Sequence, residues 1–127
     1  MLQESHAFSG LAIVDLQKSV NFYQGILGLE VEDMGMGLQV RLGGGSTLFL
    51  YVREHHQPAA YTVLNFPVDD IDAAVDKLVS KGIVFEHYDD LPETTRDGDV
   101  HQMGDLKGVW FKDPDGNILS VVNELME

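Results

Sequence analysis

The chain has 127 residues, of which 21 are acidic and 8 basic, and its formal charge is −13. This length suits one domain with its own core, and the charge argues against nucleic acid and anionic membranes as partners. Because there is no cysteine, disulfides, thiolate metal sites and cysteine nucleophiles are excluded. The sequence shows neither a signal peptide nor an apolar run of membrane-spanning length, so we expect a cytoplasmic protein.

The first half of the chain predicts a strand, a helix and three further strands. Asp15 is a good N-cap for a helix that continues to Gly28, where a glycine suits the helix end. The strands are predicted from short apolar or β-prone runs on either side of this helix. They cover residues 7–14, 29–32, 37–42 and 47–53. Residues 54–60 then form a linker to the second half.

The second half repeats this order. Asp70 caps a helix over 71–81, which Gly82 ends. Strands are predicted at 61–68, 83–85, 109–111 and 118–122. Between them, residues 88–107 form a polar stretch that is too long for a simple turn, and loops of such length are usually functional or mobile. The last two strands are joined by Asp113 to Asn117, a dense run of turn-forming residues.

The two halves align as an internal repeat. Asp15 and Asp70 are 55 positions apart, whereas Gly45 and Gly116 in the hairpin turns are 71 positions apart. The difference is the long acidic stretch inserted into the second half. Because a repeat fixes architecture, we expect two modules of the same fold, one over about 1–56 and the other over about 61–127, within a single domain.

Three stretches together carry a resemblance to a known family: IVDLQKSVNFYQGILGLEV, FPVDDIDAAVDKLVSKGI and FKDPDGNILSVV. In this order they resemble the vicinal oxygen chelate superfamily, which includes glyoxalase I, extradiol dioxygenases, fosfomycin resistance enzymes and bleomycin resistance proteins. The resemblance implies an α+β fold in which two βαβββ modules form a curved mixed sheet around a central cup. It also implies a homodimer.

In the enzymatic members, the resemblance implies a divalent metal that is held by one side chain from each of four strands. Carried over to this chain, the four positions are Phe8, Phe49, Val63 and Ser120. None of them offers a carboxylate or an imidazole, which are the ligands such an ion needs. We therefore expect no metal cofactor.

Relocated ligands are the alternative to a missing metal site. His6 is in phase with Phe8 on the predicted first strand, and His55 and Glu124 are in phase with Phe49 and Ser120. A displaced site of these two histidines and one acid would support a metal-dependent glyoxalase-like lyase or dioxygenase.

Without the usual metal ligands, the chain looks most like the bleomycin resistance branch of this superfamily, and this resemblance implies a binding protein and not an enzyme. We expect metal-independent binding of a small organic molecule, a cationic or aromatic compound, in an apolar pocket whose acidic rim would attract a cationic ligand. Trp110 and Tyr88 could stack on a flat ligand, although core packing is the simpler role for Trp110. The predicted pocket residues are Phe8, Phe49, Tyr51, Val63, His101, Trp110 and Ser120. A non-catalytic dimeric scaffold with a filled cup is the third interpretation.

Overall fold

The computed structural model describes residues 1–124 and divides into two compact units, one from Met1 to Gln57 and the other from Pro58 onward. Each unit has its own sheet and its own helical segment. Within the described residues, no helix is both long enough and apolar enough to cross a membrane.

The first unit follows the predicted order of strand, helix and three strands. Its elements are β1 (Ser9–Ile13), α1 (Leu16–Val20), a π-helical segment (Asn21–Ile26), β2 (Glu30–Asp33), β3 (Leu38–Arg41) and β4 (Thr47–Val52). The sheet order is β1-β4-β3-β2, in which β1 runs parallel to β4 and the other pairs are antiparallel. Strand alternation buries Leu38, Val40, Leu48 and Leu50, each at most 2% exposed, on one face.

The first helix differs from its prediction as a single α-helix. It is α-helical only to Val20 and then widens, with the Leu27 N–H donating to the Phe22 carbonyl five residues back at 2.9 Å. The consecutive residues Phe22 and Tyr23 both lie in this widened segment and enter the core, where they are 5% and 0% exposed.

The second unit repeats this topology and adds an edge strand. Its elements are β5 (Thr62–Val68), α2 (Ile71–Ser80), β6 (Thr95–Asp97), β7 (Val100–Met103), β8 (Leu106–Lys112) and β9 (Ile118–Asn123). The sheet order is β5-β9-β8-β7-β6, with β5 parallel to β9. The first four strands in this order match β1-β4-β3-β2, so the predicted α+β architecture of two βαβββ modules is confirmed.

Two predictions for this unit are wrong. Residues 83–85 do not form a strand, and only a single bridge between Glu86 and Trp110 joins this region to the sheet. Val84 is 81% exposed, so its side chain does not pack against the sheet. The place beside β8 that the predicted strand would have taken in the sheet is occupied by β7 instead. Strand β7 belongs to the polar stretch 88–107, which therefore contains a hairpin of β6 and β7 as well as loop.

Asp15 and Asp70 cap the two helices as predicted. Each side chain accepts the backbone N–H three residues on, that of Lys18 or Ala73, at 3.0 Å. We expect Asp70→Ala to lower the free energy of unfolding by about 1 kcal/mol, because that N–H then lacks its partner. Urea denaturation would measure the change, with Asp76→Ala within α2 as the control that leaves the cap intact; equal stability of the two variants would contradict the prediction.

Candidate ligand-binding site

The sheet of the second unit has one core face and one face for a site. Val109 and Phe111 on β8 and Leu119 and Val121 on β9 are at most 5% exposed, and α2 packs against these two strands. Because side chains alternate along a strand, the residues between them point to the other face. We call this the second face; it carries Trp110 on β8 and its cross-strand partner Ser120 on β9, with Ile118 beside them.

A cavity of about 210 Å³ opens on the second face. Its lining is mainly aromatic and aliphatic, and consists of Ala60, Tyr61, Thr62, Tyr88, Leu91, Trp110 and Ile118. The indole N–H of Trp110 donates to Thr62 Oγ1 at 2.9 Å, which fixes the ring plane. The Tyr88 ring meets this indole edge-to-face with centroids 5.3 Å apart. Two oriented aromatic rings thus form walls of one cavity, and Trp110 is half-buried here instead of filling the core.

His101 lies behind these aromatic walls. It is 0% exposed, and its ring packs edge-to-face on Trp110 with centroids 4.7 Å apart. The backbone N–H of Tyr88 donates to His101 Nε2 at 2.9 Å, whereas Nδ1 has no hydrogen-bond partner among residues 1–124. Burial lowers the pKa of His101, and the backbone carbonyl of Asp99 acts in the opposite direction. His101, which was predicted to line the pocket, is therefore buried behind the lining and supports it.

Two exposed ion pairs tie the polar stretch together near this cavity. His87 Nε2 lies 2.7 Å from Asp99 Oδ1, and the Arg96 guanidinium donates to both carboxylate oxygens of Asp89 at 2.7 and 3.1 Å. The hydrogen bond from Arg96 lowers the pKa of Asp89. Burial first, and then the nearby Glu86 carboxylate, raise the pKa of Tyr88, so its phenol stays neutral.

A β-bulge changes which residue lies beside Ser120. Thr62 pairs with Ile118 and Leu64 with Leu119, so Val63 is an extra residue in β5 and Asn65 becomes the partner of Ser120. The Ser120 hydroxyl, 1% exposed, donates to Asn65 Oδ1. The position carried over from the family is Val63, but the strand register puts Asn65 on the second face beside Ser120. No local signal in the sequence marks this bulge.

The first unit has an open apolar groove of about 320 Å³, lined by Phe8, Met34, Met36, Gln39, Thr47 and Phe49. Phe8 precedes β1 and is 66% exposed. The Phe49 ring stacks on Tyr51 with centroids 6.5 Å apart and an angle of 17°. Of the pocket residues predicted in this unit, Phe8 and Phe49 therefore line one groove, and Tyr51 supports Phe49.

The residues proposed as relocated metal ligands have ordinary surroundings. His6 lies before β1 and His55 in the turn after β4, so neither is on a strand, and both are exposed. Glu124 follows β9; a hydrogen bond to Asp69 and the charge of that carboxylate raise the pKa of Glu124. Within residues 1–124, no group of three His, Asp or Glu side chains is placed to hold a metal ion.

Comparison with known proteins agrees with this architecture. Residues 5–121 match the Glyoxalase/Bleomycin resistance protein/Dioxygenase superfamily, and the chain belongs to this family. Among solved structures, a glyoxalase/dioxygenase from Nostoc punctiforme is 21% identical with a TM-score of 0.68, covering 98% of this chain and 93% of that one. The fosfomycin resistance protein FosX from Listeria monocytogenes is 15% identical with a TM-score of 0.70, covering 94% and 93%. A superfamily member from Sphaerobacter thermophilus is 24% identical with a TM-score of 0.66, covering 93% and 97%.

The four positions at which the family resemblance implies a metal do not fit a divalent ion here. Phe8 and Phe49 present rings to an apolar groove, and Val63 has only an aliphatic side chain. The Ser120 hydroxyl is buried and already bonded to Asn65. A site for a hard cation needs several anionic or carbonyl oxygens or imidazoles, and this set offers one neutral hydroxyl.

Proposed function

We propose that the chain is a metal-independent protein that binds a small organic molecule, in the manner of the bleomycin resistance branch of its family. The observation that supports this most directly is the cavity walled by Trp110 and Tyr88 on the second face. An apolar, aromatic cavity with few polar groups binds ligands mainly through burial, with the polar groups setting orientation. We include in this proposal a homodimer in the cytoplasm.

The charge around the cavity favours a cationic aromatic ligand. Residues 86–105 contain seven acids and a single arginine, Arg96, which is paired with Asp89. The faces of Trp110 and Tyr88 attract a cation through their π-electrons, by about 0.5–2 kcal/mol depending on desolvation. The cavity volume of about 210 Å³ is smaller than the roughly 300–1,000 Å³ of sites for drug-sized compounds. A ligand with a single ring or with two fused rings matches this size.

A polar contact beside the cavity gives the site a means of orienting its ligand. The Ser120 hydroxyl holds Asn65 through Oδ1, so the amide Nδ2 is the group that Asn65 can offer to an acceptor oxygen of the ligand. The pair of Asn65 and Ser120 follows the pair of Thr62 and Ile118 after one intervening pair in the register, and lies on the same face. This supports recognition of a ring that carries a carbonyl, ether or hydroxyl oxygen.

Titration with a pair of charge-matched probes tests the proposal. Trp110 is the only tryptophan, so its fluorescence reports directly on the cavity. We expect saturable quenching by N-methylquinolinium, a permanent cation, and at least about tenfold weaker binding of quinoline-2-carboxylate, an anion of the same ring system. EDTA should leave the affinity unchanged.

The binding proposal also predicts which variants lose affinity. By calorimetry, Trp110→Ala should bind N-methylquinolinium at least about tenfold more weakly, because it removes the largest wall of the cavity. Val84→Ala, an exposed position in the same unit, is the control and should match the wild type. Equal affinity of both variants, or binding or turnover that appears only with added Ni²⁺, Mn²⁺, Fe²⁺ or Zn²⁺, would overturn the proposal.

A further inference from the structure

We propose that His101 is a positioning residue that holds residues 86–91 against the cavity, and that it does so only while its imidazole is neutral. This inference rests on the proposed function in one respect, namely that the cavity binds a ligand. We call residues 86–91 the Tyr88 segment; it supplies two parts of the cavity lining, Tyr88 and Leu91. A group that fixes this segment thereby controls whether the cavity exists.

The contacts of the Tyr88 segment differ in strength. At its start, the Glu86 N–H donates to the Trp110 carbonyl at 2.7 Å. The ion pair of His87 with Asp99 is exposed and contributes little, whereas the Arg96 guanidinium holds the exposed Asp89 carboxylate through two hydrogen bonds. The bond from the Tyr88 N–H to His101 is the one whose acceptor side chain is 0% exposed. Hydrogen bonds shielded from water are stronger, and losing one leaves a donor without a partner.

The direction of this hydrogen bond fixes the protonation state of His101. A backbone N–H can only donate, so Nε2 must accept and therefore carries no proton. The neutral ring then has its proton on Nδ1. If His101 gains a second proton, an Nε2–H donor faces the Tyr88 N–H donor, and the attraction between them becomes repulsion.

The surroundings of His101 favour its neutral form. The groups that face its ring from the packed elements are His87 and Asp89 of the Tyr88 segment, Arg96 of β6, the Asp99 carbonyl before β7, and the uncharged Trp110 of β8. Burial is the largest influence and lowers the pKa; the positive charges of Arg96 and His87 lower it further. Asp99 and Asp89 act in the opposite direction without reversing the shift.

The sign of the pH dependence follows from the lowered pKa. When the Tyr88 segment opens, His101 regains an ordinary pKa of about 6.5. Between that value and the lower value of the closed state, the open state binds more protons, so acidification favours opening. The closed cavity is thus fully stable above about pH 7 and loses stability as the pH falls below about 6.5.

Hydrogen exchange at the Tyr88 amide tests the role of His101 without any ligand. After correction for the intrinsic exchange rate, protection of this amide should be about tenfold lower at pH 5.5 than at pH 7.5. His101→Gln keeps an acceptor oxygen that does not titrate, so protection should become independent of pH. His87→Gln removes the neighbouring histidine, whose charge lowers the pKa of His101, and should keep the direction of the wild-type pH dependence. Two results would overturn the proposal: protection that does not change with pH in the wild-type protein, or a loss of protection at pH 5.5 in His101→Gln that equals the loss in wild type.

Binding of N-methylquinolinium provides the second measurement, because its charge does not change with pH. Its affinity for the wild-type protein should fall between pH 7.5 and pH 5.5 by the factor by which the fraction of closed molecules falls, and that for His101→Gln should not change. If the Tyr88 amide responds to pH but the probe does not bind at pH 7.5, the binding proposal fails and the positioning role of His101 stands. If the probe binds at pH 7.5 and protection of the Tyr88 amide does not change with pH, the positioning role fails and the binding proposal stands. If His101→Gln loses its native circular dichroism, the same two measurements on wild type and His87→Gln, amide protection and probe affinity, decide between these outcomes.

Discussion

Replacing Asp113 by alanine is expected to lower the free energy of unfolding by about 3 kcal/mol. Asp113 is 4% exposed, and its Oδ1 accepts the backbone N–H groups of Asp115 and Asn117, each at 2.9 Å. Its Oδ2 accepts the side-chain amide of Asn117 at 2.9 Å. Asn117 is 1% exposed, so the substitution leaves two buried donors without this acceptor, and each costs about 1–3 kcal/mol.

A conservative variant separates the loss of acceptors from the loss of packing. Asp113→Asn keeps the size of the side chain and one acceptor oxygen, but sets its NH₂ against the amide of Asn117, so we expect about half the effect of alanine. Asp90→Ala, at an exposed position in the same unit, is the control and should change stability by no more than about 0.5 kcal/mol. Urea denaturation measures all three. A loss from Asp113→Ala no larger than that of the control would show that the turn is stable without its side-chain network.

The turn around Asp113 also shows which parts of the fold can be predicted from local sequence. Proline, glycine and the Asp and Asn side chains act within a few residues, so the hairpin and both helix caps follow from residue types alone. Gly116 lies at φ 89°, the conformation for which glycine is selected. The order of elements and their repetition were predictable for the same reason, because each element has its own start and end signals.

The wrong predictions depend on contacts between distant residues. Residues 83–85 have a strand-like composition, but Phe85 is buried against Phe111, with centroids 6.0 Å apart, as a single anchor and not as part of a strand. The widened part of the first helix contains Phe22 and Tyr23, whose rings pack edge-to-face in the core with centroids 5.1 Å apart. Intrinsic propensity is a weak term in both places and is overridden by tertiary packing.

Only part of the candidate site could be predicted from the sequence. The composition and the carried-over positions pointed to Trp110, Ser120 and Phe49, which the structure places on the second face and in the groove of the first unit. Asn65 was missed because the bulge at Val63 shifts the register by one residue. The burial of His101 could not be foreseen, since it is held between a loop and a strand by a bond to a residue 13 positions away.

Gly37→Ala is expected to lower the free energy of unfolding by about 3 kcal/mol, although it adds a single methyl group. A Cβ at this position would lie 2.5 Å from the backbone carbonyl oxygen of Leu50 and 2.6 Å from Cζ of Phe49. The Phe49 ring can rotate away, but the carbonyl belongs to β4, and moving it disturbs the β3–β4 pairing of Leu38 with Leu50. The effect therefore comes from a close backbone approach and not from backbone conformation.

A second substitution distinguishes the two contacts of Gly37. In Gly37→Ala combined with Phe49→Ala, the clash with the ring is relieved and the clash with the carbonyl is not, so the double variant should be more stable than the sum of the single losses predicts, by about 1 kcal/mol. Gly43→Ala is the matched control: its Cβ meets nothing within 4 Å, and we expect a change of about 0.5 kcal/mol or less. If Gly37→Ala unfolds at the same urea concentration as Gly43→Ala, the strands near Leu50 can separate freely.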